Sequence, residues 1–375
     1  MKVTLNSKEL ARAVQTAQRF TTTRSLNPIL SYGLVEVTNG IGYISATDLE
    51  VGVKVAFKTG FLNEVELKGA FPLKKLSELL KGQSGSINIL KGDTTETEGM
   101  SYTLQNARSE VKLFTLDPEE FPSLAWPKKE GDLEFSTSGA LLCECLRKVA
   151  FAISTETARP VLTGALLEMR KDGFLRAIAT NGKQLAFTMY YHGEGVDPFQ
   201  AILPKKTVGD LISLLSKSES MEVKVSLSKN QMAFTFDNIF LLSRLIEGQY
   251  PNWGQVMPAI EKCGVKVEVV TAELREAVNK MGKLTSDRYN LVVIEIDKGM
   301  LTLRAETPAL GAGKIEMGVK GEGTLEIGIN PHFLLSVLGS VHSERLTIFG
   351  HDPMSPLVIQ PEDDNAIYIN MPIKI

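Results

Sequence analysis

Asp48 and Glu50, in the stretch ATDLEVGV, form the best acidic pair in the chain. Two residues apart on a strand they share a face, where two carboxylates can hold a metal or do acid–base work. The corresponding stretches further along carry Asn181 and Gly182, then Glu306 and Thr307. A position filled so differently each time reads as a recurring turn. His351 and Asp352 sit in HDP among prolines, and no G-x-S-x-G nucleophile signature occurs, so a polar turn is the reading there. GAGK at 311–314 lacks the first half of a phosphate-binding loop and lies in a strand-like region, and no G-x-G-x-x-G follows a strand. Cys143, Cys145 and Cys263 make no disulfide framework and fit an intracellular setting. Cys143 and Cys145 lie two apart in a helical pattern, project to different sides and read as packing thiols. The chain has 4 histidines, none at zinc-like spacing. No catalytic site, metal or cofactor is expected.

Basic residues are better organised. Arg12, Arg19, Arg147, Lys148, Arg275, Lys280 and Lys283 fall in three helical segments; Lys74, Lys75, Lys81, Lys205, Lys206 and Lys217 fall in two others. On any one helix such residues describe a solvated face. Their recurrence in equivalent elements raises the alternative of one basic surface facing phosphates. The net charge of −3 does not exclude it, because a basic stripe can coexist with an acidic exterior. Aromatics make up 7% and do not interleave with the lysines, which favours sequence-independent duplex contact over base stacking on single strands.

The elements that carry these residues repeat three times. VTLNSKELARAVQTA, LEFSTSGALLCECLRKVA and VEVVTAELREAVNKM each join a short alternating strand to an amphipathic helix. Leu10, Val14 and Ala17 form one apolar stripe, Leu274, Val278 and Met281 another, and Leu142, Leu146 and Val149 match closely. Ser7, Ser138 and Thr271 are the expected N-caps. A strand with a polar interruption follows in each third, then a proline-led second helix (FPLKKLSELLK, LPKKTVGDLISLLSK, NPHFLLSVLGSV), then closing strands. DPEEFPSLAWPKKEGD and IEGQYPNWGQVMPAIEKCG have the composition of interdomain linkers. Three α+β domains are expected, at 1–125, 126–255 and 256–375.

At 375 residues, with 43% hydrophobic and 23% charged, the composition is that of an ordinary soluble protein. MKVTLNSKEL lacks the apolar core of a signal peptide, and no apolar run approaches the ~20 residues of a membrane helix, so a cytoplasmic protein without membrane association is expected. The end, NMPIKI, is unusually apolar for a terminus.

RSLNPIL (24–30), SATDLE (45–50), FTLDPEEFP (114–122), ATNGKQLA (179–186), SRLIEGQYPNW (243–253) and the terminal MPIKI, in this order and on this repeat, resemble the bacterial DNA polymerase III beta subunit, the sliding clamp, from end to end. The resemblance implies a head-to-tail homodimer of three-domain protomers, a six-domain ring around double-stranded DNA that tethers the replicative polymerase and confers processivity. Opening would fall to a separate clamp loader complex. Partners would be the DNA polymerase III alpha subunit and other polymerases and repair proteins with clamp-binding peptides.

The resemblance also implies a peptide pocket at Leu162, Thr180, Gly182, Lys183, Leu185, Pro251, Gln255, Val256, Ile369, Met371, Pro372 and Ile373. Lys183-Gln184 stands where the family often has His-Arg or Tyr-Arg, and Gln255 where arginine is frequent. Arg24 is the implied candidate DNA contact of the first domain; Arg147, Lys148, Lys205, Lys206 and Arg275, from the recurring basic set, are the further expected contacts. TARPVL offers Arg159 and Pro160 where some members carry a DNA-contacting aromatic. Val111, Leu113 and Leu284 are the expected protomer interface. Two rivals remain: a scaffold of the same fold serving repair or plasmid replication, and a metal-dependent hydrolase built on Asp48 and Glu50.

Overall fold

Strand–helix alternation with a fixed order recurs along the computed structural model, which describes residues 2–61, 66–92, 100–124, 133–216, 222–286, 290–308 and 310–375. Six α-helices lie among them: α1 Ser7–Ala17, α2 Leu73–Leu80, α3 Gly139–Val149, α4 Lys205–Leu215, α5 Thr271–Gly282 and α6 Pro331–Ser340. They pack in pairs, α1 with α2, α3 with α4 and α5 with α6. The 3.6-residue stripe decides which face is buried: Leu10, Val14 and Ala17 on α1, Leu142, Leu146 and Val149 on α3, Leu274, Val278 and Met281 on α5. Burying each of the larger side chains contributes roughly 1.5–3 kcal/mol. Cys143 and Cys145 are both buried, as packing thiols.

The caps differ in two of three places. Asn6, one residue before Ser7, caps α1, its Oδ1 accepting from the N–H groups of Lys8 and Glu9. Ser7 is instead the first helical residue, and its hydroxyl donates to the carbonyl of Gly85 at 3.0 Å. Ser138 caps α3, while α5 begins at Thr271 after Val270 with no side-chain cap. Pro72 and Pro204 stand at the N-cap and Pro331 inside the first turn of α6, all where a missing N–H costs nothing.

By packing, the chain divides into two units. The first, Met1–Thr137 with Met221–Arg244, holds a four-stranded sheet (Lys2–Asn6, Ser86–Lys91, Met100–Gln105, Glu110–Thr115 in spatial order) and an eight-stranded one. In the latter, Val51–Lys58 pairs antiparallel with Ile239–Arg244, Val53 opposite Leu241. The second unit, Ser138–Ser220 with Leu245–Ile375, holds a nine-stranded sheet, in which Gln184–Tyr191 pairs with Ala366–Asn370, and a four-stranded sheet from Gly311–Gly318 to Leu325–Ile329. The middle third supplies strands to both long sheets, which is why packing counts two units in a threefold repeat. The expected boundary near 125 lies outside the described residues, as does Lys217; the one near 255 falls at the turn Trp253–Gln255.

Candidate peptide site and basic residues

Asp48 and Glu50 stand in a turn. Thr47 ends its strand, Leu49 has φ of 76°, and Asp48 Oδ1 accepts from the N–H groups of Glu50 (3.1 Å) and Val51 (2.8 Å). A carboxylate occupied by its own backbone is a turn device. The same construction recurs at Thr180–Gln184: Asn181 Oδ1 accepts from the N–H groups of Lys183 and Gln184, both at 2.9 Å, and Gly182 has φ of 83°. In both turns the threonine hydroxyl donates four residues ahead, Thr47 to Val51 and Thr180 to Gln184. Asp352 likewise accepts from the N–H groups of Met354 and Ser355, and its bond from the Ser355 hydroxyl helps hold its carboxyl below the usual carboxylate range. No group of three metal-ligating side chains occurs among the described residues.

The second of these turns borders the candidate site. It delivers Leu185 into an apolar cluster with Leu162, Leu166, Ile178, Phe187, Ile202, Tyr250 and Ile369. Leu162 arrives on the short turn Pro160–Thr163, and Ile369 lies directly opposite Leu185 in the strand pair. Thr180, half-buried, is fixed from both sides: its hydroxyl bonds Gln184, and its N–H donates to Tyr250 Oη at 3.1 Å. Burial pushes the Tyr250 phenol well above its ordinary range, so it stays protonated. Trp253 stacks on Phe187 with ring centres 5.0 Å apart and carries the Arg170 guanidinium 5.1 Å from its own ring centre.

Gly182, Lys183, Pro251, Gln255 and Val256, which flank members of this cluster in the chain, are exposed. Met371 (38% exposed), Pro372 and Ile373 follow the last strand, the N–H of Met371 donating to Lys183 O at 2.9 Å and that of Ile373 to Gly328 O at 2.8 Å. Gln184 is different from its neighbour: it is buried, and its amide donates to Phe333 O (2.8 Å) and Asn370 Oδ1 (3.2 Å), stitching its strand to α6 and to the last strand. Tyr250, Trp253 and Phe187 pack with this cluster although the sequence alone does not single them out; the first two lie within GQYPNW, whose prolines are its conspicuous feature.

The basic residues divide by their partners. Arg24 is exposed in a loop braced by the bonds Arg24 N–H to Thr22 Oγ1, Asn27 N–H to Ser25 Oγ and Ile29 N–H to Asn27 Oδ1. Arg147 and Lys205 are exposed on α3 and α4, and Lys206 lies 3.9 Å from Asp210 one turn on. Lys148 is 12% exposed and paired with Glu144 (2.5 Å) and Asp364 (2.6 Å). Arg275 donates to the carbonyls of Leu338 and Val341 at the end of α6, the favourable place for a cation at a helix C-terminus.

Three copies of a helix pair beneath antiparallel strands define a DNA-clamp fold. Profiles of the DNA polymerase III beta subunit match at residues 1–125 (N-terminal domain), 137–252 (central domain) and 255–374 (C-terminal domain). The beta sliding clamp of Pseudomonas aeruginosa is 28% identical over 382 residues and that of Chlamydia pneumoniae 27% over 385, covering at least 99% of each chain. The solved Pseudomonas aeruginosa beta subunit superimposes with a TM-score of 0.91 at 26% identity over the whole of both chains, and that of Thermotoga maritima with 0.88 at 26%, over 100% of this chain and 99% of the other. The chain belongs to the DNA polymerase III beta subunit family. Its function is that of a DNA sliding clamp.

Proposed function

We propose that two copies close head to tail into a ring around duplex DNA and that the ring keeps a tethered polymerase near the primer end. The observation that carries this is an unmatched pair of sheet edges. Val51–Lys58 and Gln184–Tyr191 are the same strand of successive repeats, and each pairs with the closing strand of the next third. The third such strand, Gly311–Gly318, and the first closing strand, Glu110–Thr115, are outer strands of their sheets among the described residues. Pairing them between copies repeats the same joint and leaves neither edge free. Val111 and Leu113 lie half-buried on one edge beside exposed Phe114; Leu284 leans over Gly313 on the other.

Arg24, Arg147, Lys205 and Lys206 supply weak contacts to phosphates, which permit sliding because they read no bases. Lys148 and Arg275 act through the fold that presents the others. The apolar floor of Leu162, Leu185 and Ile369, with Met371, Pro372 and Val256 at its rim, takes short linear peptides of the polymerase III alpha subunit, the clamp loader and other polymerases and repair proteins. A relative in Pseudomonas aeruginosa has been solved bound to griselimycin, which supports a ligand site on this fold. The work is topological, needs no catalytic group and is done in the cytoplasm. Sedimentation should give a particle of twice 41.1 kDa; a persistent monomer contradicts the ring.

Exposed Lys183 and Gln255 favour a second reading, a repair or plasmid-replication scaffold with altered partner preference. Binding of a Q-x-x-L-F peptide decides for the replicative clamp, and its absence for the scaffold.

A further inference from the structure

We propose that Gly328 is a positioning residue of the peptide site: its missing side chain lets the C-terminal tail seat on strand Leu325–Ile329, and that seat fixes Met371 and Pro372. The inference rests on the peptide-site reading above. Among the described residues Leu325–Ile329 is the outer strand of its sheet, and a single antiparallel bridge, Gly328 opposite Ile373, adds the tail to it. A Cβ on Gly328 would stand 2.5 Å from the carbonyl oxygen of Ile373, 2.7 Å from Leu291 Cδ1 and 3.1 Å from Ile375 Cγ1. The two side chains can turn aside. The carbonyl oxygen is backbone, and it clears the Cβ only if the tail leaves. Gly328 is not among the residues with left-handed φ, so close approach rather than conformation calls for glycine here.

Among the described residues the tail has one other backbone anchor, Met371 N–H to Lys183 O. Pro372 lies between the two anchors and has no N–H, so it cannot form a rung itself. With both anchors in place the Met371–Pro372 pair is held at each end. Without the Gly328 anchor it hangs from the Lys183 turn alone, and ordering it falls to the incoming peptide.

The test uses the full-length chain, a fluorescein-labelled Q-x-x-L-F peptide and hydrogen exchange of the tail amides. Gly328→Ala is expected to bind the peptide about tenfold more weakly, about 1.4 kcal/mol, with faster exchange at Ile373. In a chain lacking residues 371–375 the same substitution should change nothing further. Ile373→Pro removes the donor without touching the strand and should reproduce the loss if Gly328→Ala does not fold. Parental affinity and exchange in Gly328→Ala, or a further loss in the tailless chain, would overturn the proposal. If the parent itself binds no peptide, the peptide-site reading falls, and the seating of the tail is judged on exchange alone.

Discussion

The backbone N–H of Met371 donates to the carbonyl of Lys183 at 2.9 Å, so the apolar end of the chain is tied to the turn that carries Gly182. The preceding strand, Ala366–Asn370, is paired on both sides, with Gln184–Tyr191 and with Leu357–Pro361. Deleting Met371–Ile375 therefore removes two backbone bonds at the rim and leaves the sheet intact. The truncated chain is expected to keep its melting temperature within a few degrees and its dimer mass while losing at least tenfold in peptide affinity, on the order of 1.4 kcal/mol. Unfolding on truncation would place the tail in the core.

Tyr250→Phe tests the floor. It leaves the N–H of the half-buried Thr180 without its phenol acceptor, a loss of about 0.5–1.5 kcal/mol. The urea midpoint should drop accordingly, with peptide affinity falling in parallel. An unchanged midpoint would mean that water takes over the bond.

Cys145 gives the pH dependence. Burial is the largest cause that pushes its thiol up, from 9.0 to about 12. The folded value lies above the unfolded one, so its contribution is complete below about pH 9 and is lost as pH rises toward 12. Between about pH 8 and pH 11 the urea midpoint should fall more steeply in the parent than in Cys145→Ala. Parallel slopes would show that this thiol is not the group responsible.

Leu113→Lys puts a charge on the half-buried outer strand Glu110–Thr115. The particle should shift from twice 41.1 kDa toward a single chain, with the melting transition of the protomer retained. A dimer that survives the charge would move the joint elsewhere.

Much of this molecule was legible because helices write their burial every 3.6 residues. Leu10, Leu142 and Leu274 announced equivalent helices, and the changing residues after Thr47 and Thr180 announced a turn. Caps were less legible, since Asn6 and Ser7 can both accept and only the nearby Gly85 carbonyl draws Ser7 away. Pairing of distant strands, such as Val53 with Leu241 or Leu185 with Ile369, leaves no periodic trace. For the same reason Lys148 and Arg275 looked like members of a basic face: Asp364 and the carbonyl of Leu338 are far away in the chain. The residues proposed for the peptide site come from the resemblance, and of these Leu162, Leu185 and Ile369 share one apolar cluster.

The most direct measurement is retention on circular against linear DNA. The chain is incubated with the proposed clamp loader and a nicked circular duplex, the free protein is removed, and half of the DNA is cut once. A ring that holds by topology stays on the circle and slides off the cut ends. Equal retention on circle and line would contradict the clamp.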